Sequence, residues 1–174
     1  MKSGRAVTSL AARDRCKSIL RTPRWEDLGG FLELVNSLVN EKAEISRNER
    51  ATWEEEIDFL ARVLSRLERN EAFYLVAEAG GEVVAVSEMP KRSGHESHVG
   101  VVGIAIRRSF RGMGIGTEMM KRLTAQATTM GLKVLTLAVF AANSVRFTST
   151  RKQDSRILGG SRRSISGKAD MWTR

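Results

Sequence analysis

Cysteine, proline and tyrosine are scarce in this sequence, with one, two and one occurrence among 174 residues. Because Cys16 stands alone, no disulfide can form within the chain, no cysteine-based metal site is possible, and the usage fits a reducing compartment. No apolar run approaches the roughly 20 residues that cross a bilayer, and the first 17 residues lack the apolar segment of a signal peptide. The sequence therefore predicts a cytoplasmic protein with no membrane contact and no bound metal.

Acidic residues are outnumbered by basic ones, 20 to 29, for a formal net charge of +9. Residues 146–174 hold eight Lys or Arg against two acids and so contribute +6, which leaves +3 for the other 145 residues. Positive charge of this kind can neutralise nucleic-acid phosphates without reading bases, so nucleic-acid binding is one hypothesis for the tail. The basic residues that would carry it are Arg151, Lys152, Arg156, Arg162, Arg163 and Lys168. We do not favour it, because only two aromatic residues of the tail could stack on bases.

The composition, 41% hydrophobic, suits one domain with a substantial core. Residues 1–16 are polar and aperiodic and are predicted to be disordered. Residues 17–143 carry the periodic apolar pattern of a folded domain, and residues 144–174 form a basic tail that is also predicted to be disordered. No oligomeric state is predicted.

Hydrophobic periodicity predicts five strands and three helices within the domain. The strands are expected at residues 18–21, 73–78, 82–89, 99–106 and 133–140, and the glycine pair at 80–81 is typical of a hairpin turn. The first helix runs from about residue 28 to residue 38, and the third runs from residue 115 to Gly131. Thr52 and Glu55 form a capping-box pattern that opens the second helix. Its expected inward side chains are Trp53, Ile57, Leu60, Leu64 and Leu67.

A glycine-rich stretch joins the strand at 99–106 to the third helix. It reads Arg111, Gly112, Met113, Gly114, Ile115, Gly116 and Thr117. Glycines let the backbone approach a ligand closely, and the free N–H groups at a helix start suit phosphate oxygens. A nucleotide P-loop is excluded because no lysine follows Gly116, and the dinucleotide fingerprint is excluded because the glycine spacing is wrong.

The pattern Arg-x-x-Gly-x-Gly, preceded by Ile-Ala-Ile and followed by an amphipathic helix, resembles the acetyl-coenzyme A loop of the GCN5-related N-acetyltransferases (GNAT). The element order also resembles that family. The resemblance implies a mixed α/β fold with a mostly antiparallel sheet flanked by helices. It also implies transfer of acetyl from acetyl-CoA to a primary amine. The acceptor could be a protein N-terminus, a lysine, a polyamine or a small metabolite.

The resemblance assigns cofactor contacts by position. Ile104 and Ile106 would offer backbone groups to the pantetheine arm. The amides of residues 112–117 would bind the pyrophosphate, with Arg111 adding positive charge. Asn143 matches the asparagine that contacts the cofactor in the family, although an asparagine there is more often a helix cap.

The acceptor amine must lose a proton before it attacks, since a lysine-type amine has a pKa of about 10.4. A general base has to accept that proton. The candidates are Glu88, near the end of a strand, and His95, Glu96 and His98 in the following loop. We favour Glu88 and Glu96, although each such residue is more often a solvated loop residue than a base.

The resemblance stops after Asn143. The family continues with N-x-x-A-x-x-L-Y-x-K-x-G-F, a helix that carries the tyrosine from which the coenzyme thiolate takes a proton, and then with two final strands. This chain has Thr150 at the tyrosine position. A reading frame shifted by one base from Val145 onward can encode the family pattern in register with Asn143. We therefore hypothesise a single-base deletion near Ser144. The chain is then an impaired acetyltransferase or, alternatively, a coenzyme-binding remnant without catalysis.

Overall fold

The computed structural model describes residues 4, 6–11, 17–43, 45 and 47–137. Within them the backbone forms a six-stranded sheet flanked by three α-helices. The predictions for Asn143, for the tail and for the end of the strand expected at 133–140 lie outside the described residues.

The sheet has the strand order β1-β2-β3-β4-β5-β6, so neighbours in the sheet are also neighbours along the chain. The strands are β1 Ala6–Ala11, β2 Lys17–Arg21, β3 Ala72–Ala79, β4 Glu82–Pro90, β5 Val99–Ile106 and β6 Val134–Leu137. All pairs are antiparallel except β5 and β6, which run parallel. This confirms the predicted mixed, mostly antiparallel α/β fold.

Three helices cover the sheet: α1 Leu28–Asn40, α2 Trp53–Glu68 and α3 Ile115–Thr129. α1 and α2 pack against each other, and α1 lies so close to β4 that a Cβ atom on Gly30 would sit 2.9 Å from Cβ of Val83. The opposite face of the sheet is covered by α3, whose Gly116 lies against the Ile106 side chain of β5. The core between these layers includes Phe73 and Leu123.

The capping box of α2 forms as predicted, with the Glu55 N–H donating to the Thr52 hydroxyl and the Thr52 N–H donating to the Glu55 carboxylate. The predicted inward face is only partly right. Leu60, Leu64 and Leu67 are buried, but the inward placement of Trp53 and Ile57 is wrong, because these side chains are 54% and 44% exposed. The remaining buried positions of the helix are Glu56, Phe59 and Val63. A prediction from apolar residues alone leaves out a buried glutamate. The predicted buried face of α2 is therefore displaced around the helix axis from the observed one.

The structure also differs from the prediction that the N-terminal residues are disordered. Residues 6–11 were expected to be disordered, but they form β1, which pairs antiparallel with β2. The open edge of β2 supplies backbone partners that the polar, aperiodic sequence does not reveal. The last described strand also differs from expectation, since Val134 is exposed and residues 135–137 are half-buried rather than buried.

Candidate functional site

The glycine-rich loop lies between β5 and the start of α3. Gly112 and Gly114 have φ angles of 78° and 87°, in the left-handed region that favours glycine. Gly114 is also the N-cap of α3, and it offers no side chain to cap the helix. The N–H groups of the first helical turn therefore face outward and suit an anion.

The helix start sits directly on β5. A Cβ atom on Gly116 would lie 3.1 Å from Cδ1 of Ile106, so glycine permits the close approach. Gly112, Gly114 and Thr117 are exposed, whereas the Ile115 side chain is buried in the core. Ile115 and the half-buried Met113 could therefore serve a ligand through their backbone amides.

Hydrogen bonds at both ends of β5 fix which way its backbone groups point. The Arg107 N–H donates to the Val84 carbonyl, and the Arg92 N–H donates to the Val99 carbonyl, each at 2.9 Å. The backbone N–H and C=O groups of the odd-numbered residues of β5 therefore point toward β4. Those of Ile104 and Ile106 point toward the β6 side. The pairing with β6 runs only from Val99 to Val102 among the described residues. The backbone groups of Ile104 thus lie along an edge that no described strand pairs.

Arg111 makes two contacts that the sequence did not predict. Its Nε donates to the Ile106 carbonyl at 2.9 Å, and its Nη2 forms an ion pair with Glu41, the residue that follows α1. The guanidinium therefore ties the loop to the end of α1. Its charge is shared with a carboxylate in this arrangement.

Glu88 is the candidate base that lies inside the fold. It pairs in register with Tyr74 of β3 on one side and with Gly103 of β5 on the other. The residue is 6% exposed, and its Oε2 has no hydrogen-bond partner within the described part of the chain. Burial raises the pKa of Glu88 to about 9, and the positive charge of Arg66 opposes that rise.

The absence of a side chain at Gly103 provides the space that the Glu88 carboxyl group occupies. A Cβ atom at that position would lie 3.1 Å from both Cγ and Oε1 of Glu88. Glu88 therefore lies beside Gly103, the residue before Ile104, whose backbone edge no described strand pairs. Its neighbour Tyr74 has its pKa raised to about 12, by burial first and by the charge of Glu88 second.

The other base candidates occupy the loop before β5. Glu96 ends the short 3₁₀ helix Gly94–Glu96, and both of its carboxylate oxygens accept from Arg92 at 2.9 Å. His95 and His98 are exposed. The structure thus places Glu88, but not these three, against the strand beside the glycine loop.

Arg66 and Tyr74 are the members of this cluster that sequence reasoning missed. Arg66 comes from α2, and no local pattern joins it to Glu88. Tyr74 comes from the other strand of the β3–β4 hairpin, where a register shift changes its partner from Ser87 to Glu88. Among the described residues no three His, Cys, Asp or Glu side chains gather as a metal site. No described helix has the length and apolar character needed to cross a membrane.

Comparison with known proteins finds similarity to acetyltransferases. A model described as the acetyltransferase (GNAT) family matches residues 34–148. An N-acetyltransferase from Staphylococcus aureus Mu50 aligns at 21% identity and a TM-score of 0.72, covering 82% of this chain and 85% of its own. A search of curated proteins returned no match.

Two further solved structures share the fold. A ribosomal-protein-alanine N-acetyltransferase from Brucella melitensis is 23% identical, with a TM-score of 0.68 and coverage of 78% of this chain and 82% of that one. The yncA protein of Salmonella typhimurium, solved with its cofactor acetyl-CoA, is 19% identical, with a TM-score of 0.68 and coverage of 79% and 78%.

Proposed function

Because the chain belongs to the acetyltransferase (GNAT) family, a class of acetyl-CoA-dependent N-acetyltransferases, we propose that it transfers acetyl from acetyl-CoA to a primary amine. One observation carries the proposal. The backbone edge at Ile104, which no described strand pairs, adjoins a helix start whose N–H groups face outward. An extended amide arm and a pyrophosphate need these two features side by side. The reaction would take place in the cytoplasm, as the cysteine usage suggests.

The cofactor contacts follow from that arrangement. The N–H and C=O of Ile104 and the N–H of Ile106 would bond the pantetheine arm. The amides of residues 112–117 would hold the pyrophosphate. Arg111 could add charge only by loosening its ion pair with Glu41. Asn143 remains a proposed further contact from the family resemblance.

Bound acetyl-CoA supplies the thioester that the amine attacks, and the chain must remove the proton of that amine. We assign this role to Glu88 in preference to Glu96, because Glu88 lies against β5. With a pKa of about 9, Glu88 is a strong base when ionised but is mostly protonated at neutral pH. Base catalysis by this residue should therefore increase with pH.

The coenzyme site is tested by calorimetric titration of the full chain with coenzyme A. The Gly114→Val variant should lose binding, because valine cannot adopt the left-handed backbone at the helix start. Gly131→Val is the matched control, since Gly131 has a φ of 71° at the other end of the helix. Equal binding by the parent and the Gly114 variant would refute the assigned site, as would a parent that binds no coenzyme A.

We also retain the proposal that the chain is impaired by the altered sequence after Asn143. The rival in which the tail binds nucleic acid is tested by truncation after Asn143, which removes +6 of charge. Affinity that depends on the tail should vanish on truncation and fall steeply with salt. Sequence-specific binding by the truncated chain would support the rival in a different form.

A further inference from the structure

A shallow groove of about 480 Å³ lies along the C-terminal half of α2. It is lined by Ala61, Arg62, Ser65, Arg66, Arg69 and Glu71. The helical members stand at three- and four-residue steps, so they form one stripe over the last turns of α2. Three of the six carry a positive charge.

The charges in this groove are incompletely balanced. Arg69 pairs with Glu71 at 3.2 Å. Arg62 and Arg66, one helical turn apart, form no ion pair with any residue that the structure describes. Like charges at this spacing destabilise a helix, so an anion that bridged them would be favoured. The guanidinium group presents a planar fork of donors that matches carboxylate and phosphate oxygens.

The groove adjoins the proposed base. The Glu71 N–H donates to the Arg66 carbonyl at 2.9 Å, which ties the groove to the start of β3, and Tyr74 of that strand pairs in register with Glu88. In keeping with this placement, the charge of Arg66 lowers the pKa of both Glu88 and Tyr74, against the larger effect of burial. Glu88 in turn touches the position of Gly103 on β5. Arg66, Glu88 and Gly103 therefore form a line from the groove to the strand beside the coenzyme loop.

We propose that this groove binds an anionic group of the acceptor, so that the acceptor is an amine that also carries a carboxylate or a phosphate. The inference rests on the proposed function and narrows its substrate class. An anion held by Arg62 and Arg66 leaves the amine of the same molecule near Glu88. A polyamine is disfavoured, because its positive charges would meet three arginines.

The test uses the full chain saturated with coenzyme A and measures binding of small amines by calorimetry. O-phosphoethanolamine and β-alanine carry an amine two carbons from a phosphate ester and a carboxylate, and ethanolamine is the counterpart that lacks the anionic group. We expect at least one of the two anionic amines to bind about tenfold or more tightly than ethanolamine, and spermidine not to bind. The arm that binds better identifies the preferred anion.

The Arg66→Gln variant should lose most of that preference, and Arg66→Lys should retain part of it. Arg122→Gln is the control, since it removes the same charge from α3 on the other face of the sheet. Arg62→Gln tests the same groove from an exposed position, should the Arg66 variant fail to fold. A parent that binds all the amines equally, or none of them, overturns the proposal, and so does a preference that survives in both groove variants.

The proposed function can fail separately. Coenzyme A binding is measured first on the same sample, and its absence would count against the coenzyme site. A parent that binds coenzyme A but shows no preference for the anionic amines would count against the groove alone.

Discussion

Glu56 lies on the buried side of α2, where burial raises its pKa from 4.5 to about 7 and Arg47 opposes the rise. Below pH 4.5 the carboxyl group is protonated in both the folded and the unfolded chain. Between pH 4.5 and 7 the folded chain keeps a proton that the unfolded chain releases. The free energy of unfolding therefore falls as the pH rises, and the full penalty is present above pH 7.

We expect Glu56→Gln to stabilise the chain by on the order of 2 kcal/mol at pH 8 and to have little effect at pH 4.5. Urea unfolding at the two pH values measures the difference. Glu68→Gln, on the exposed last turn of the same helix, is the control. A Glu56 variant whose gain in stability does not change with pH would contradict the prediction.

Glu88 gives a second pH prediction, this time for activity. If it is the base, kcat/KM should rise up to about pH 9, the pKa of the buried carboxyl. Only about 1% of a group with that pKa is ionised at pH 7. The assay should use an acceptor whose own pKa lies below 7, so that only the protein titrates over the range.

Glu88→Gln should remove the rise and lower kcat by roughly 10²–10⁴-fold, the usual contribution of a positioned base. Glu96→Gln is the informative comparison. If the Glu96 variant flattens the profile and the Glu88 variant does not, the assignment of the base is reversed.

The ion pair between Arg111 and Glu41 joins the glycine loop to the end of α1. Because a pyrophosphate would compete with Glu41 for the same guanidinium, we expect Glu41→Gln to tighten coenzyme A binding. An exposed ion pair of this kind corresponds to about two- to fivefold in affinity. Glu82→Gln, which removes the nearer of the two ion-pair partners of Arg107, at 2.8 Å, should leave the affinity unchanged. Weaker binding by the Glu41 variant would mean that Glu41 holds Arg111 in place instead.

The β3–β4 hairpin shows how far sequence reasoning reaches. The two-glycine turn at 80–81 was predictable, and counting outward from it places Tyr74 opposite Ser87. The structure instead pairs Tyr74 with Glu88, because the register shifts by one residue between Ala77 and Glu78. A bulge depends on how the strand packs against its neighbours. The sequence could therefore suggest Glu88 as a candidate base but could not show that Tyr74 and Arg66 lie next to it.

The same limit explains the two corrections in the fold. Residues 6–11 form a strand because they pair with the edge of β2, which the local sequence does not reveal. The buried face of α2 includes Glu56, a residue type that is normally expected at the surface. In contrast, α3 was predicted closely. Its buried residues Ile115, Met119, Leu123 and Ala127 repeat at four-residue steps, and Gly131 ends it with a φ of 71°.

For the molecule as a whole, the order of the helices and strands from β2 to β6 along the chain could be predicted because the motifs before Asn143 are intact. The hypothesis of a shifted reading frame makes a whole-chain prediction. Inserting one base near codon 145 should restore the family pattern, raise the thermal unfolding temperature and increase coenzyme release by roughly 10²–10⁴-fold, the usual effect of a positioned acid. Equal folding and equal turnover in the two frames would refute it, and genomic sequencing at this codon provides an independent check.

Beyond Val102, no described strand pairs with β5 on its β6 side, and this arrangement should leave a signature in amide hydrogen exchange. Gly103 and Ala105 direct their N–H groups to β4 and should exchange slowly in every state of the protein. The N–H groups of Ile104 and Ile106 point the other way and should exchange quickly in the free chain. Coenzyme A, by completing the sheet as a strand would, should slow exchange at these two amides while leaving that of Gly103 and Ala105 unchanged, so that the alternating pattern of protection along β5 becomes a uniform one.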